Sequence, residues 1–103
     1  MAKQIKGLAN KVLDNKSKPI KSGKEDLLVS EILANILYHN KSENGKDALR
    51  TTQKIMPMLY AAKNVVEFED SDFDLVAKAV ETNTIGYLDG VLGQVLAIFE
   101  EAK

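Results

Sequence analysis

Apolar side chains in the first half of the chain recur at the spacing of an amphipathic helix. They step by one and three residues, which gives a wide face for burial, and they are Leu28, Val29, Ile32, Leu33, Ile36 and Leu37. Ser22 followed three residues later by Glu25 forms a capping-box pattern just before this run. The pattern predicts a helix over residues 23–39 that ends close to Asn40.

A second apolar face predicts a helix over residues 44–63. Its members are Ala48, Leu49, Thr52, Met56, Leu59 and Tyr60. Pro57 lies inside this helix, where it has no amide hydrogen to donate and clashes with the carbonyl four residues earlier. We therefore expect a kink near residues 53–56, or two shorter helices.

The stretch EFEDSDFDLVAKAVE, residues 67–81, has the acidic spacing of a calcium loop, with Asp70, Asp72, Asp74 and Glu81 at positions one, three, five and twelve. Leu75 stands where such a loop needs glycine, and the residues after it repeat as a helix. Carboxylates also stabilise a first helical turn. The sequence therefore predicts a short extended piece at residues 65–68 and an acid-capped helix over 71–82, with no metal site.

A last helix is predicted over residues 85–102, and it is apolar on more than one side. A heptad seam is formed by Ile85, Leu88, Leu92, Val95 and Phe99. Apolar residues off that seam suit either a central core helix or a core helix that also makes a symmetric dimer contact. The candidate protein-contact surface consists of Tyr87, Val91 and Ile98. An acidic edge is the alternative contact, formed by Glu69, Asp70 and Asp72.

The N-terminal region allows two interpretations. Ile5, Leu8, Ala9 and Val12 fit one helical face, whereas residues 12–20 also fit two short strands around a polar turn at 14–17. We expect a mainly α fold: a small four-helix domain, orthogonal or bundle-like, with or without a short N-terminal β-hairpin. Residues 1–22 would form a basic extension or hairpin, and residues 23–103 the helical domain.

The net charge of −1 conceals an asymmetry along the chain. Residues 1–24 carry a balance of +6, and residues 25–103 carry −7. A basic arm of this kind either contacts nucleic acid or lies against its own acidic body, and the second arrangement is the commoner one. The nucleic-acid contacts of the first interpretation would be Lys3, Lys6, Lys11, Lys16, Lys18 and Lys21.

Composition excludes most kinds of site chemistry. The chain has no cysteine and a single histidine, His39, so thiolate zinc sites, cysteine nucleophiles and multi-histidine metal sites are ruled out. It contains neither a phosphate-binding loop nor a dinucleotide fingerprint. No apolar run approaches the length of a membrane span. We expect one cytoplasmic domain of 103 residues that is not an enzyme and needs no cofactor.

The order of these segments resembles small proteins encoded by tailed phages and prophages, a group whose role is generally unassigned. The resemblance covers roughly residues 12–101 and rests on four segments: Leu33 to Asn35, Lys54 to Tyr60, Val66 to Phe68 with Asp72 to Leu75, and Gly93 to Val95. It implies a phage context, the cytoplasm of a host cell, a mostly helical fold and no catalytic residue.

The leading hypothesis is thus a non-enzymatic protein-interaction protein that acts through the apolar face of its last helix. Its partner would be another protein or a second copy in a homodimer. A nucleic-acid-binding accessory protein that uses the lysine-rich arm is the alternative.

Overall fold

The computed structural model of the protein describes residues 2–42, 44–83 and 85–102, with the backbone alone at Ser22. The fold is mainly α, as predicted, with short β elements. In chain order the elements are β1 (Ala2–Lys6), β2 (Lys21–Ser22), β3 (Glu25–Asp26), α1 (Val29–Tyr38), α2 (Gly45–Arg50), a π-helical turn (Thr51–Ile55), α3 (Met56–Ala61), β4 (Val65–Glu69), α4 (Asp70–Glu81) and α5 (Asp89–Ala102). Whether the helices form a bundle or an orthogonal array stays a prediction.

The N-terminal residues form a strand that contributes to the core. β1 pairs antiparallel with β4, so that Ile5 lies opposite Val66. Ile5, Leu8 and Val12 are fully buried. The helical interpretation of this segment is wrong because the chain pairs with β4 and then turns at Gly7, whose φ is +100°. The extended piece predicted at residues 65–68 is confirmed as part of β4.

Residues 12–20 reverse direction around the predicted polar turn, but the two predicted strands are reduced to one isolated bridge. Leu13 and Pro19 form an antiparallel bridge, and Oδ1 of Asp14 accepts hydrogen bonds from the amides of Lys16 and Lys18 at 2.8 and 3.0 Å. Three backbone hydrogen bonds then link Val12, Ile20 and Leu27 to one another. The amide of Val12 donates to the carbonyl of Leu27, the amide of Leu27 donates to the carbonyl of Ile20, and the amide of Ile20 donates to the carbonyl of Val12, each at 2.8 Å.

The capping box predicted at Ser22 is not a helix start. Ser22 and Glu25 lie on β2 and β3 of a hairpin, and Gly23 between them has a φ of +70°. A glycine with positive φ in a two-residue loop matches the twist of a tight hairpin. Helix α1 begins at Val29, and Glu31 caps it by accepting the amide hydrogen of Leu28 at 2.8 Å. The boundary predicted between residues 22 and 23 falls within this hairpin.

The distortion predicted before Pro57 is confirmed as a π-helical turn. The amide of Met56 donates to the carbonyl of Thr51, five residues back. The hydroxyls of Thr51 and Thr52 bond carbonyls four residues earlier, which also favours bending. The buried face of this segment differs from the predicted one. Thr51, Ile55 and Leu59 are buried, whereas Leu49 and Tyr60 are exposed. The predicted burial of Leu49 and Tyr60 is therefore wrong.

Helix α4 begins at Asp70, one residue before the predicted start, and confirms the acidic run as a helix beginning. Helix α5 begins at Asp89 instead of residue 85, because Gly86 has a φ of +83° that no right-handed helix contains. Phe73 of α4 and Phe99 of α5 pack with ring centroids 5.6 Å apart. One core unites the elements, and its largest fully buried members are Phe68, Phe73, Phe99, Ile5, Leu8, Leu33, Ile36 and Ile55.

Candidate protein-interaction surfaces

The predicted contact face on the last helix is only partly at the surface. Ile98 is 4% exposed and belongs to the core, since it lies on the same side of α5 as the buried Val95 and Phe99. It packs so closely on the N-terminal turn that a methyl group on Gly7 would lie 3.0 Å from its Cγ2. Ile98 is therefore corrected to a structural residue. Tyr87 and Val91 are half-buried.

Three large apolar side chains near the start of α5 are exposed, however. Leu88 is 78% exposed, Tyr38 at the end of α1 is 74% exposed and Ile85 is 37% exposed. We name these three residues, together with Tyr87, the α1–α5 patch.

Contacts across the α1–α5 patch hold its parts together. The side-chain amide of Asn35 donates to the hydroxyl of Tyr87 at 2.6 Å, and Asn35 lies one turn before Tyr38 on α1. The rings of Tyr38 and His39 meet edge-on at 5.1 Å, and His39 and Ile85 line the same small cavity of about 80 Å³. Nδ1 of His39 also lies 2.9 Å from the carbonyl of Asn35, as expected of a histidine at a helix end.

The predicted acidic edge divides into two parts. Glu69 and Asp70 are exposed, but Asp72 is only 1% exposed. Asp72 is part of an ion cluster in which Nη1 of Arg50 lies 3.2 Å from its Oδ1 and Nζ of Lys54 lies 2.7 Å from its Oδ2. Asp72 is therefore corrected from a surface contact to an internal anchor between α4 and the π-helical segment.

Asp72 and Lys54 form an ion pair without a well-aligned hydrogen bond. No donor of the described residues reaches Oδ2 of Asp72 at a hydrogen-bonding angle, so the charge of the nearby Lys54 neutralises it. The contact with Asp72 raises the pKa of Lys54, and Glu69 at 3.7 Å adds to the effect. Arg50 has a second acidic neighbour, because its Nη2 lies 3.7 Å from Oδ1 of Asp47. The sequence signal was the i, i+4 spacing of Arg50 and Lys54, which places both cations on one side of a helix.

No protein-family model, curated protein or solved structure matches the chain. The functional proposal therefore depends on the surfaces of the molecule.

The lysines of the predicted basic arm differ in their contacts. Lys11 and Lys21 both pair with Asp26, and these contacts, Lys21 first, lower the pKa of Asp26. Nζ of Lys3 lies over the ring of Phe73 at 4.7 Å, the geometry of a cation–π contact. The other three, Lys6, Lys16 and Lys18, are exposed and have no ion pair within residues 2–42, 44–83 and 85–102.

A cleft with a volume of about 400 Å³ lies between the loop after α1, helix α2 and helix α4. Its walls carry both signs of charge, from Asp47 and Arg50 on one side and Asp74 and Lys78 on the other. Within the described part of the chain, no three side chains of the types that bind metals cluster together. No helix in that part is long and apolar enough to cross a membrane.

A second group of exposed apolar side chains does not follow from the sequence pattern. Leu49 is 55% exposed and Tyr60 is 66% exposed, both on the outward side of the segment from α2 to α3. Helix α2 has no buried residue at all in its described length. For Leu49, Pro57 was the available signal, since a distortion just before the proline changes the register of the residues that precede it.

Proposed function

We propose that this protein is a non-enzymatic protein-interaction protein that binds its partner through the α1–α5 patch. The observation that carries the proposal is the exposure of Leu88 and Tyr38, at 78% and 74% the two most exposed large apolar side chains described. Burial of apolar surface against a partner lowers the free energy of the complex by about 25 cal/mol per Å². Aromatic side chains such as Tyr38 are also common at the centres of interfaces.

The arrangement suits binding better than catalysis. The hydroxyl of Tyr87 is engaged by Asn35, and Nδ1 of His39 faces the carbonyl of Asn35, so both polar groups have structural partners. The bond from Asn35 positions the ring of Tyr87 against α1, and a side chain that is ordered before binding loses less entropy when a partner binds. In a phage setting the role would be that of an accessory or assembly factor, or an inhibitor of a host protein. A second copy of the chain is the first partner to test.

The test is a pull-down from host-cell lysate with and without nuclease, followed by mass spectrometry, together with sedimentation of the purified protein. We expect the wild-type chain to retain a protein partner, or itself, after nuclease treatment. The double variant Tyr38→Glu, Leu88→Glu should lose that partner while its circular dichroism stays unchanged. A variant that still retains the partner would contradict the assignment of the patch.

A nucleic-acid-binding role is the second candidate. Lys16 and Lys18 favour it because both are exposed on one turn and form no ion pair with any residue that the structure describes. The double variant Lys16→Glu, Lys18→Glu serves as the matched control. It should leave the protein partner in place, and it should abolish any recovery that nuclease removes. Phosphate contacts would also weaken steeply as salt rises, whereas an apolar contact would not.

A further inference from the structure

Strand β1 pairs with β4 along one edge and leaves its other edge open. The amide of Gly7 donates to the carbonyl of Asn64, and this bond continues the register of β1 with β4. Bonded and non-bonded pairs alternate along an antiparallel ladder, so Lys3 and Ile5 are also bonded to β4. The residues that alternate with them turn their amides and carbonyls away from β4. We name these residues the β1 edge: Ala2, Gln4 and Lys6.

The outward amides and carbonyls of the β1 edge have no hydrogen-bond partner among residues 2–42, 44–83 and 85–102. They recur at every second residue, which is a spacing of about 7 Å. The backbone of another extended segment presents carbonyls and amides at that same spacing. A free strand edge is therefore a template for pairing with a further strand.

A cleft of about 370 Å³ lies beside the β1 edge. Helix α5 forms its other wall with Ile98, Glu101 and Ala102, and Lys3 completes the lining that the structure describes. A strand that paired with the β1 edge would therefore run between β1 and the last turns of α5. Addition of an extended peptide to a sheet edge is a general mode of recognition, in which the backbone gives affinity and alternate side chains give specificity.

The side chains of such a strand would meet two different surroundings. Those on the core face of the sheet would lie over Ile98 and Ala102, which are apolar. Those on the outer face would lie next to Gln4 and Lys6, whose side chains are exposed. The described lining of the cleft contains two lysines and one glutamate, so acidic side chains suit the outer face.

Strand β4 shows which residue pattern pairs with β1. Its buried residues are Val66 and Phe68, and Glu67 and Glu69 are exposed on the other face. The β1 strand of a second copy fits less well, because it carries two lysines and no acid. Pairing of two such strands would gather like charges on one ribbon.

We infer that the β1 edge binds an extended segment of another protein, which alternates apolar and acidic side chains and adds to the sheet as an antiparallel strand. Its backbone bonds the β1 edge, its apolar side chains pack on the end of α5, and its acidic side chains lie beside Lys6. This surface goes beyond the proposed function, because it adjoins the end of α5 whereas the α1–α5 patch adjoins the start of that helix.

The test uses the whole protein labelled with nitrogen-15 and a peptide of about six residues that alternates valine and glutamate. Binding is followed by the amide chemical shifts of the protein. Residues directly opposite each other in an antiparallel pair share a face, so the glutamates would bond the β1 edge and the valine amides would point away from it. We expect shifts at residues 2–6 and 98–102.

Two N-methylated peptides of equal mass test the backbone contact itself. Methylation of the glutamate amides should weaken binding at least about tenfold, because it removes the donors that face β1. Methylation of the valine amides should leave the affinity unchanged. Equal weakening by both, weakening by the methylated valines alone, or no binding of the parent peptide at millimolar concentration would overturn the inference.

Gln4→Pro removes one outward amide from the protein. Since that amide faces away from β4, proline should leave the pairing of β1 with β4 in place, and the amide shifts of Val66 and Phe68 report whether it does. The affinity for the peptide should fall at least about tenfold. Gln4→Thr is the matched control, because it alters the same side chain but keeps the amide and should bind as the wild type does. Equal affinity of the two variants would contradict the inference.

A peptide with lysine in place of glutamate tests the charge of the partner. It should bind the wild-type protein more weakly than the glutamate peptide does, and Lys6→Glu should reverse the order. Equal affinity of the wild type for the two peptides would overturn the acidic partner.

The position of the chemical-shift changes separates this inference from the proposed function. Shifts confined to β4 or to the α1–α5 patch would overturn the β1 edge and leave the proposed function intact. The double variant Tyr38→Glu, Leu88→Glu should bind the glutamate peptide as the wild type does. The two proposals therefore fail independently.

Discussion

Replacing Asp72 by asparagine removes the negative centre of the ion cluster but keeps the size of the side chain. Asp72 is 1% exposed, while Arg50 and Lys54 are 33% and 45% exposed. The three charges therefore differ in what happens to them when a partner is lost. The cations can regain water, whereas the carboxylate cannot.

This difference sets the size of the effect. Breaking a buried ion pair costs about 3–5 kcal/mol when the remaining charge stays buried, and an exposed pair is worth only about 0–1 kcal/mol. In Asp72→Asn the remaining charges are the two partly exposed cations. We expect the variant to lose about 2 kcal/mol of unfolding free energy, between those limits.

The same substitution should have the opposite sign in a second background. In the double variant Arg50→Met, Lys54→Met, the carboxylate of Asp72 is left buried without either cation, which costs about 3–5 kcal/mol. Adding Asp72→Asn to that double variant removes the stranded charge. The triple variant should therefore be more stable than the double variant, although it differs from it by a change that destabilises the wild type.

The measurement is urea unfolding of the four proteins at neutral pH, followed by circular dichroism and analysed at constant slope. Asp74→Asn is the matched control, because Asp74 is an exposed acid of the same helix and should change stability by less than about 0.5 kcal/mol. If Asp72→Asn lowers stability by the same amount in both backgrounds, the cations do not neutralise Asp72 and the reasoning is refuted.

Three further predictions concern the N-terminal elements. The carboxyl pKa of Asp26, measured by carbon-13 NMR, should lie below its ordinary value of 3.8 and rise in Lys21→Met; the stability that this contact adds is present above that ordinary value and is lost as pH falls through the lowered pKa. In Gln94→Leu, hydrogen exchange at the amide of Leu13 should accelerate, because Oε1 of Gln94 accepts that hydrogen at 2.8 Å. Gly7→Ala should lower the free energy of unfolding, measured in urea, by roughly 1–3 kcal/mol, because φ is +100° and the new methyl would lie 2.8 Å from Nδ2 of Asn10.

Local chemistry made several elements predictable from the sequence. The reversal of the chain at residues 12–20 follows from a polar turn that Asp14 stabilises by bonding its own neighbours. The start of α4 follows from aspartates that suit the positive end of a helix. The distortion before Pro57 follows from a missing amide hydrogen. In each case the residues that decide the structure lie within one turn of it.

Three of the failures have the opposite character, because partners distant in sequence decided them. Ile5 and Leu8 fit a helical face, yet β4, about sixty residues later, gives this segment a strand to pair with. Asp72 was read as a surface carboxylate, since nothing near it in sequence shows that Arg50 and Lys54 reach it. Ile98 was read as surplus apolar surface, but the N-terminal turn covers it. An apolar count on one helix therefore cannot separate the core from an interface.

The position of the exposed apolar surface follows from these same long-range contacts. Residues 2–13 bring a strand and a turn against the core and α5, with Leu13 bonded to Gln94. They bury apolar side chains of α5 that the sequence alone would leave for a partner. The opposite happens before Pro57, where the π-helical turn carries Leu49 away from the core. Leu49 therefore lies at the surface although its spacing from Met56 fits one α-helical face, and periodicity that is read across a proline does not predict burial.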